Sequence, residues 1–238
     1  MTKQKLIKSI VLLVCVAVVG YVLLNVNFNR DKLDYNEHLS DVAVTIDGEE
    51  VTYQDLAFYI LFEERKVEEQ AKIYNPKSSK DYWNLHTNDT FIQEEAKNVV
   101  MEMAIHDHLF YQLAVEDGMD TLTADEERDL EFAITDFWED LYEQQLDKLP
   151  CDRDTINEQI RLAAVAEKFQ NYLAVNKGPS QAAYKYDGYY YEQIRSQHSI
   201  KINNKLWNRF VLGDVTLTHT HLNYINGLDN ENKKKKED

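Results

Sequence analysis

Glycine and proline are scarce in this sequence. Of 238 residues, 7 are Gly and 3 are Pro. That is about a third of their usual combined share of roughly 12%. All-β and loop-rich folds need turn residues every ~8–12 positions and are excluded. Collagen-like and linker-dominated chains are excluded with them. Cysteine is rarer still, since Cys15 and Cys151 alone cannot build a disulfide framework. Positive charge is also short: 26 Lys and Arg face 42 Asp and Glu, a formal net charge of −16. Nucleic acid is therefore a poor partner, because phosphate binding runs on clustered Lys and Arg.

Enzyme signatures are missing too. The chain has no G-x-G-x-x-G and no G-x-x-x-x-G-K-[ST] to cradle a phosphate. It has no G-x-S-x-G elbow, no H-E-x-x-H and no C-x-x-C. His106 and His108 are two apart on an expected helix, so they point to different faces. His219 and His221 would share a face only if extended. His86 beside Trp83 reads as a loop or core-edge residue. The acidic pairs and runs Glu63-Glu64 and Asp125-Glu126-Glu127 read as dipole partners at helix starts or as a wet helix face. No cofactor, metal site or catalytic residue is expected.

What the chain does have is 44% hydrophobic and 11% aromatic residues, enough to bury a real core. The acidity is local. Residues 31–178 carry 13 basic and 35 acidic side chains, whereas residues 1–30 carry Lys3, Lys5, Lys8 and Arg30 and no acid. Ile10 to Leu24 is an unbroken apolar run. With Leu6, Ile7, Val26 and Phe28 it would cover roughly 30 Å as a helix, enough to cross a bilayer. The preceding lysines put the N-terminus in the cytoplasm and the rest outside. A cleaved signal peptide and a lipoprotein processed at Cys15 are the rival readings. The run lacks an A-x-A-like site, and Val14 precedes the cysteine, so an uncleaved single-span anchor is favoured.

Beyond a polar tether at 31–40, Val42–Ile46 reads as a strand and Asp47-Gly48 as a hairpin turn. Four helices should follow, each opened by a capping pair: Thr52 with Asp55, Thr90 with Gln93, Thr123 with Glu126, and Thr155 with Glu158. Their apolar stripes run through Leu56, Ile60, Val67, Ala71 and Tyr74; through Ile92, Ala96, Val99, Met103, Phe110 and Leu113; through Leu130, Ile134, Phe137, Trp138 and Leu141; and through Ile156, Ile160, Ala163, Ala166, Phe169 and Leu173. A fifth helix is expected over Gln181–Gln197 with Gly188 as a weak point. A strand is expected at Ser199–Ile202, then a short helix capped by Asn203 or Asn204. The tyrosines 184, 186, 189, 190 and 191 form either a core-packed helix face or a surface that grips apolar polypeptide.

The run Val42-Ala43-Val44-Thr45-Ile46-Asp47-Gly48-Glu49-Glu50-Val51-Thr52 is similar to the opening of one known module. So is Ala114-Val115-Glu116-Asp117-Gly118-Met119, continued by Leu122-Thr123 and Asp125-Glu126. The closing Tyr190-Tyr191-Glu192, Ser199–Ile202 and Leu206-Trp207 also fit it. In this order they resemble the N-terminal chaperone module of the SurA and PrsA foldases, the parvulin-associated family related in architecture to the trigger-factor chaperone domain. The resemblance covers roughly residues 41–210. It implies a mainly α fold: a helical SurA N-terminal-like module with a small antiparallel β element, behind one transmembrane helix. The strand at 199–202 should then lie beside 42–46. The parvulin domain has no counterpart, since the chain passes straight through Gly178-Pro179 and holds no Gly-Gly pair.

The chain therefore divides into a cytoplasmic stub and anchor at 1–30, a tether at 31–40, the module at 41–212, and a polar tail at 213–238. The function implied is that of a membrane-anchored, extracytoplasmic, ATP-independent chaperone binding unfolded, newly exported polypeptides, without prolyl isomerase activity. Its client-binding lining would be Tyr59, Phe62, Phe110, Trp138, Tyr142, Tyr189, Tyr190 and Tyr191. The alternative is a non-catalytic cell-envelope assembly protein with one dedicated partner.

Overall fold

The computed structural model describes residues 33–87 and 89–218. A 3-10 turn at Tyr35–His38 comes first, and the Asp34 carboxylate caps it by accepting from the Asn36 N–H at 3.0 Å. Strands β1 (Val42–Ile46) and β2 (Glu49–Thr52) form an antiparallel hairpin. After a 3-10 turn at Gln54–Leu56 comes helix α1 (Ala57–Tyr74). A one-turn α2 (Lys80–Trp83) and a small hairpin of β3 (His86–Thr87) with β4 (Thr90–Phe91) lead into α3 (Ile92–Glu116). Then follow α4 (Ala124–Asp140), one-turn α5 (Glu143–Leu146) and α6 (Arg153–Lys177). A 3-10 turn at Gln181–Tyr184, α7 (Tyr189–Arg195), β5 (Ile200–Ile202) and α8 (Asn204–Trp207) finish the chain of elements. The architecture is mainly helical with a small antiparallel sheet, as the sequence implies.

Local chemistry explains most boundaries. Asp47 and Gly48 both adopt positive φ, at 51° and 97°, which a tight two-residue hairpin demands. Thr123 opens α4 with a reciprocal cap: its N–H donates to Glu126 at 2.7 Å and its Oγ1 accepts from the Glu126 N–H. Gly178 ends α6 in a left-handed conformation. Three starts differ from expectation. Asp55 accepts from the Thr52 N–H and hydroxyl, yet α1 begins only after the 3-10 turn. Thr90 is spent in β4, so α3 starts behind Phe91 with no side-chain cap. Asp152 rather than Thr155 caps α6: the helix begins at Arg153, and the Asp152 carboxylate accepts from the Thr155 N–H at 2.9 Å.

The two 25-residue helices α3 and α6 lie together and form the centre. Phe110 and Phe169 meet edge to face between them, with ring centroids 5.8 Å apart. Ala104, Leu109, Phe110, Ile156 and Ala166 are fully buried there. Leu109, Phe110 and Ile156 each contribute ~1.5–3 kcal/mol. Helix α1 packs along α3 through Tyr59 and Ile60. Tyr74, expected on the same stripe, is exposed, with its ring 5.6 Å from that of Tyr82.

Strand β5 pairs antiparallel with β1, Val44 opposite Ile202 and Ile46 opposite Ile200, so the sheet order is β2-β1-β5. The expected neighbourhood of 199–202 and 42–46 is thus present. Around it the two ends of the body are clasped. The Leu33 N–H donates to the Arg209 carbonyl at 3.2 Å, and the Asn203 N–H to the Ala43 carbonyl at 2.8 Å. Tyr35 packs on Tyr53 and Phe210, and Tyr53 stacks on Trp207. The Tyr35 hydroxyl donates to the Tyr53 carbonyl.

The body extends past both expected limits. Tyr35, placed in a tether by its polar neighbours, is buried. Residues 213–217, assigned to a polar tail, form a strap with Val215, Thr216 and Leu217 buried. Glu64 of α1 explains the strap. Its buried carboxylate accepts from the N–H groups of Gly213 at 2.6 Å, Val215 at 3.2 Å and Thr216 at 2.9 Å, and from the Thr216 hydroxyl. Gln145 donates to the Thr216 hydroxyl at 3.1 Å, and Lys148 to the Leu217 carbonyl at 2.6 Å. Gly213 has φ of 92°, and a Cβ there would meet the Trp83 ring at 2.9 Å. The wet-face reading of Glu63-Glu64 is thereby overturned, since both are buried. Burial raises the Glu64 pKa, and the four donors from the strap pull against that rise.

The fifth helix is not continuous. It breaks between Tyr184 and Tyr189, and Gly188 becomes the N-cap of α7. The anchor expected at residues 1–30 and the tail from residue 219 lie outside the described residues. Among the described residues no helix is long and apolar enough to cross a membrane.

Two outcomes test this account. Glu64→Gln keeps the shape but turns an amide N–H₂ toward donors, so urea unfolding should show a loss of ~2–4 kcal/mol. Asp47 is held below the ordinary carboxylate range by the Ser199 N–H at 2.7 Å and by His198 at 2.6 Å. Its contribution is therefore present above the unfolded value of about 3.9 and fades as pH falls through the lower folded value. With side chains 42% and 22% exposed, Asp47 and His198 should give under ~1 kcal/mol. Thermal midpoints of Asp47→Asn and wild type should differ near neutral pH and converge in strong acid.

Candidate functional site

The tyrosine-rich stretch after α6 is divided between two faces. Tyr184 and Tyr191 point inward and are buried, while Tyr189 and Tyr190 are 68% and 39% exposed. Tyr191 sits edge to face against Phe110 and His106, with centroids 5.8 and 4.9 Å away. The His106 Nε2–H donates to the Tyr184 carbonyl at 2.8 Å, which fixes the 3-10 turn to α3. Arg195 reaches Glu102 of α3 at 3.0 Å and fixes the other end of α7. Burial pushes the hydroxyl pKa values of Tyr184 and Tyr191 upward, so both stay neutral. On this base Tyr190 packs on Tyr184 at 5.6 Å and Tyr189 meets Tyr190 edge to face at 5.5 Å. The result is an aromatic knob on a braced helix. Its rings offer apolar faces with polar tips, the chemistry common at protein interfaces.

The other expected lining residues fall into two further groups. Tyr59 and Phe110 are core residues and offer nothing to a client, a correction that Tyr191 shares. Their burial follows from the α1–α3–α6 contact, which helical periodicity shows only as one stripe per helix. Phe62, Trp138 and Tyr142 are half-buried on the side where α1 meets α4 and α5. Phe58 links that side, touching Phe62 at 6.2 Å and Phe137 at 5.3 Å. Cations already cover these rings: Arg65 lies over Phe62, Lys72 over Tyr142 at 3.4 Å, and Arg153 over Trp138 at 4.5 Å. The Trp138 Nε1–H also donates to Asn157 at 2.8 Å. The eight residues therefore do not share one cleft.

Other chemistry is modest. Cys151 is half-buried, and burial with Asp152 and Asp55 nearby pushes its thiol up to about 11, which makes it a poor nucleophile. The Tyr59 hydroxyl beside Asp107 and the His108 ring beside Gln159 are buried polar groups. Burial holds the His108 pKa below its ordinary value. An open hollow of about 510 Å³ lies where the two ends of the described body meet, lined by Leu33, Tyr35, Lys148, Phe210, Val215 and Leu217. Its signal in the sequence was weak, because Tyr35 and Val215 stand in polar surroundings.

Gly188 holds the knob in position. A Cβ there would come within 2.4 Å of the Ala183 carbonyl oxygen, a backbone atom that cannot swing away. Gly188→Ala should therefore shift Tyr184–Tyr191 and cost ~1–3 kcal/mol, read as a lowered thermal midpoint and altered tyrosine fluorescence. No protein-family model, no curated protein and no solved structure matches this chain.

Proposed function

We propose that the protein is a membrane-anchored, extracytoplasmic, ATP-independent chaperone that binds unfolded exported polypeptides and lacks prolyl isomerase activity. The exposed Tyr189–Tyr190 pair on a braced helix is the observation that carries this reading. Two aromatic faces can take many apolar side chains without selecting one, and their hydroxyls keep the empty surface wet. The acidic exterior would keep a loaded complex soluble. The antiparallel β1–β5 closure supports the likeness to the SurA and PrsA module, and the apolar run Ile10–Leu24 supports the anchor.

A second reading has its own support. The Phe62, Trp138 and Tyr142 rings are covered by Arg65, Arg153 and Lys72, which leaves a narrow apolar surface. A narrow surface suits one dedicated partner in the cell envelope better than a range of clients.

One assay separates the two. Full-length protein in nanodiscs is mixed with two unrelated unfolded clients, and light scattering follows their aggregation. A general chaperone suppresses both at a few-fold excess. Tyr189→Ser with Tyr190→Ser should then lose more than about half of the suppression, while Tyr189→Ser alone, at the more exposed ring, should leave stability within ~0.5 kcal/mol. Suppression of neither client would end the general reading and send the search to cross-linking in the membrane.

A further inference from the structure

Lys97 on α3 is a buried cation. Its side chain is 3% exposed, and its Nζ lies 3.3 Å from a single carboxylate, Glu94, which is about half exposed. An ammonium carries three donors. Taking one out of water costs several kcal/mol unless acceptors replace the lost hydration. One long contact to a wet carboxylate replaces little of it. The Trp207 ring, 5.9 Å from Nζ, adds a weak cation–π contact.

Lys97 also lines a cavity of about 150 Å³ between α3, β5 and α8. The side chains around it form a particular set. Asn98, Asn204 and Asn208 bring carboxamides, each both donor and acceptor. Glu94 and Glu102 bring carboxylates, and Glu102 is shared with Arg195. Trp207 supplies an apolar wall. A plain anion would satisfy Lys97 but meet two carboxylates. A plain cation would satisfy the carboxylates but meet Lys97. A zwitterion satisfies both. The volume equals roughly five water molecules at ~30 Å³ each, which limits the ligand to a handful of heavy atoms.

We propose that this cavity binds a free α-amino acid with a small side chain, such as glycine, alanine or serine. The carboxylate is taken by Lys97 and the carboxamides. The ammonium is taken by Glu94 and Glu102. The cavity opens to solvent past the exposed Glu94, Asn98, Asn204 and Asn208, and its small floor favours a short side chain. The site shares Glu102 with the Arg195 brace of the tyrosine knob but does not rest on the chaperone reading. Trp207 stacks on Tyr53 in the clasp between the two ends of the described body, so occupancy should also raise stability.

The test is calorimetry and thermal unfolding on the full-length protein in nanodiscs. The probes are glycine, alanine and serine, with phenylalanine as the oversized control. Glycinamide lacks the carboxylate and N-acetylglycine lacks the ammonium. The expected result is saturable binding of the small amino acids, with the midpoint rising by several degrees at about 100 times Kd. The two blocked forms and phenylalanine should bind at least ~30-fold more weakly. Lys97→Met should weaken glycine by a similar factor, and Asn98→Ala on the exposed rim by ~3–10-fold. No saturable binding at about 10 mM of any small amino acid would overturn the proposal. Equal binding of glycine and its blocked forms would overturn it as well. If Lys97→Met does not fold, an unchanged affinity in Asn98→Ala has the same force.

Discussion

A single buried carboxylate organises one end of this molecule. Glu64 lies in the middle of α1, where helical spacing aims it at the core rather than at water. A bare carboxylate in such a place would be strongly unfavourable. The strap after α8 resolves this by folding three N–H groups and a hydroxyl onto it. Those backbone donors would otherwise be unpaired beneath Trp83 and Gln145. Each partner thus needs the other. The left-handed Gly213 is the joint that lets the strap turn under the Trp83 ring. Charge, backbone conformation and chain path are fixed together at this point.

The same coupling of distant segments recurs at the sheet and at the tyrosine knob. Strand β1 is held on one side by its own hairpin partner and on the other by β5, some 150 residues later. The knob is held by two contacts to α3: His106 at one end and Arg195 at the other. Helix α7 has only seven residues, too few to be stable alone. It persists because Tyr191 and its neighbours anchor it. The exposed rings therefore stand on a surface that does not have to be ordered when something binds, which reduces the entropy lost on association.

Much of the architecture was legible because its signals are local. The Asp47-Gly48 turn, the Thr123 cap and the glycine stop at Gly178 act within a few residues. Strands β1 and β5 show as short β-branched runs, whereas their pairing is what the resemblance implies rather than what those runs reveal. What escaped depends on partners far along the chain. Glu64 looks like any helix-surface acid until residues 213–216 are placed on it. Tyr35 looks like part of a polar linker until Phe210 covers it. The break at 185–188 escaped because a weak glycine signal was outvoted by helix formers on both sides. The binding residues were half legible. Clustering of tyrosines marked the right segment, but a stripe of aromatics cannot say which members face in. Lys97 gave no sign at all, since a lysine amid Glu94 and Glu95 reads as a solvated helix face.

Leu33 and Thr218 line the same hollow, so the two ends of the described body leave from one place. This has a mechanical meaning. A load applied between the ends would fall first on the Leu33–Arg209 hydrogen bond and the Tyr35–Phe210 contact at one end, and on the bonds joining Lys148 and Glu64 to the strap at the other. It would peel these apart one after another at low force. None of these end contacts is made by the long α3–α6 pair at the centre of the body. Tension from a fixed neighbour would therefore reach the clasp well before it disturbed the braced tyrosines.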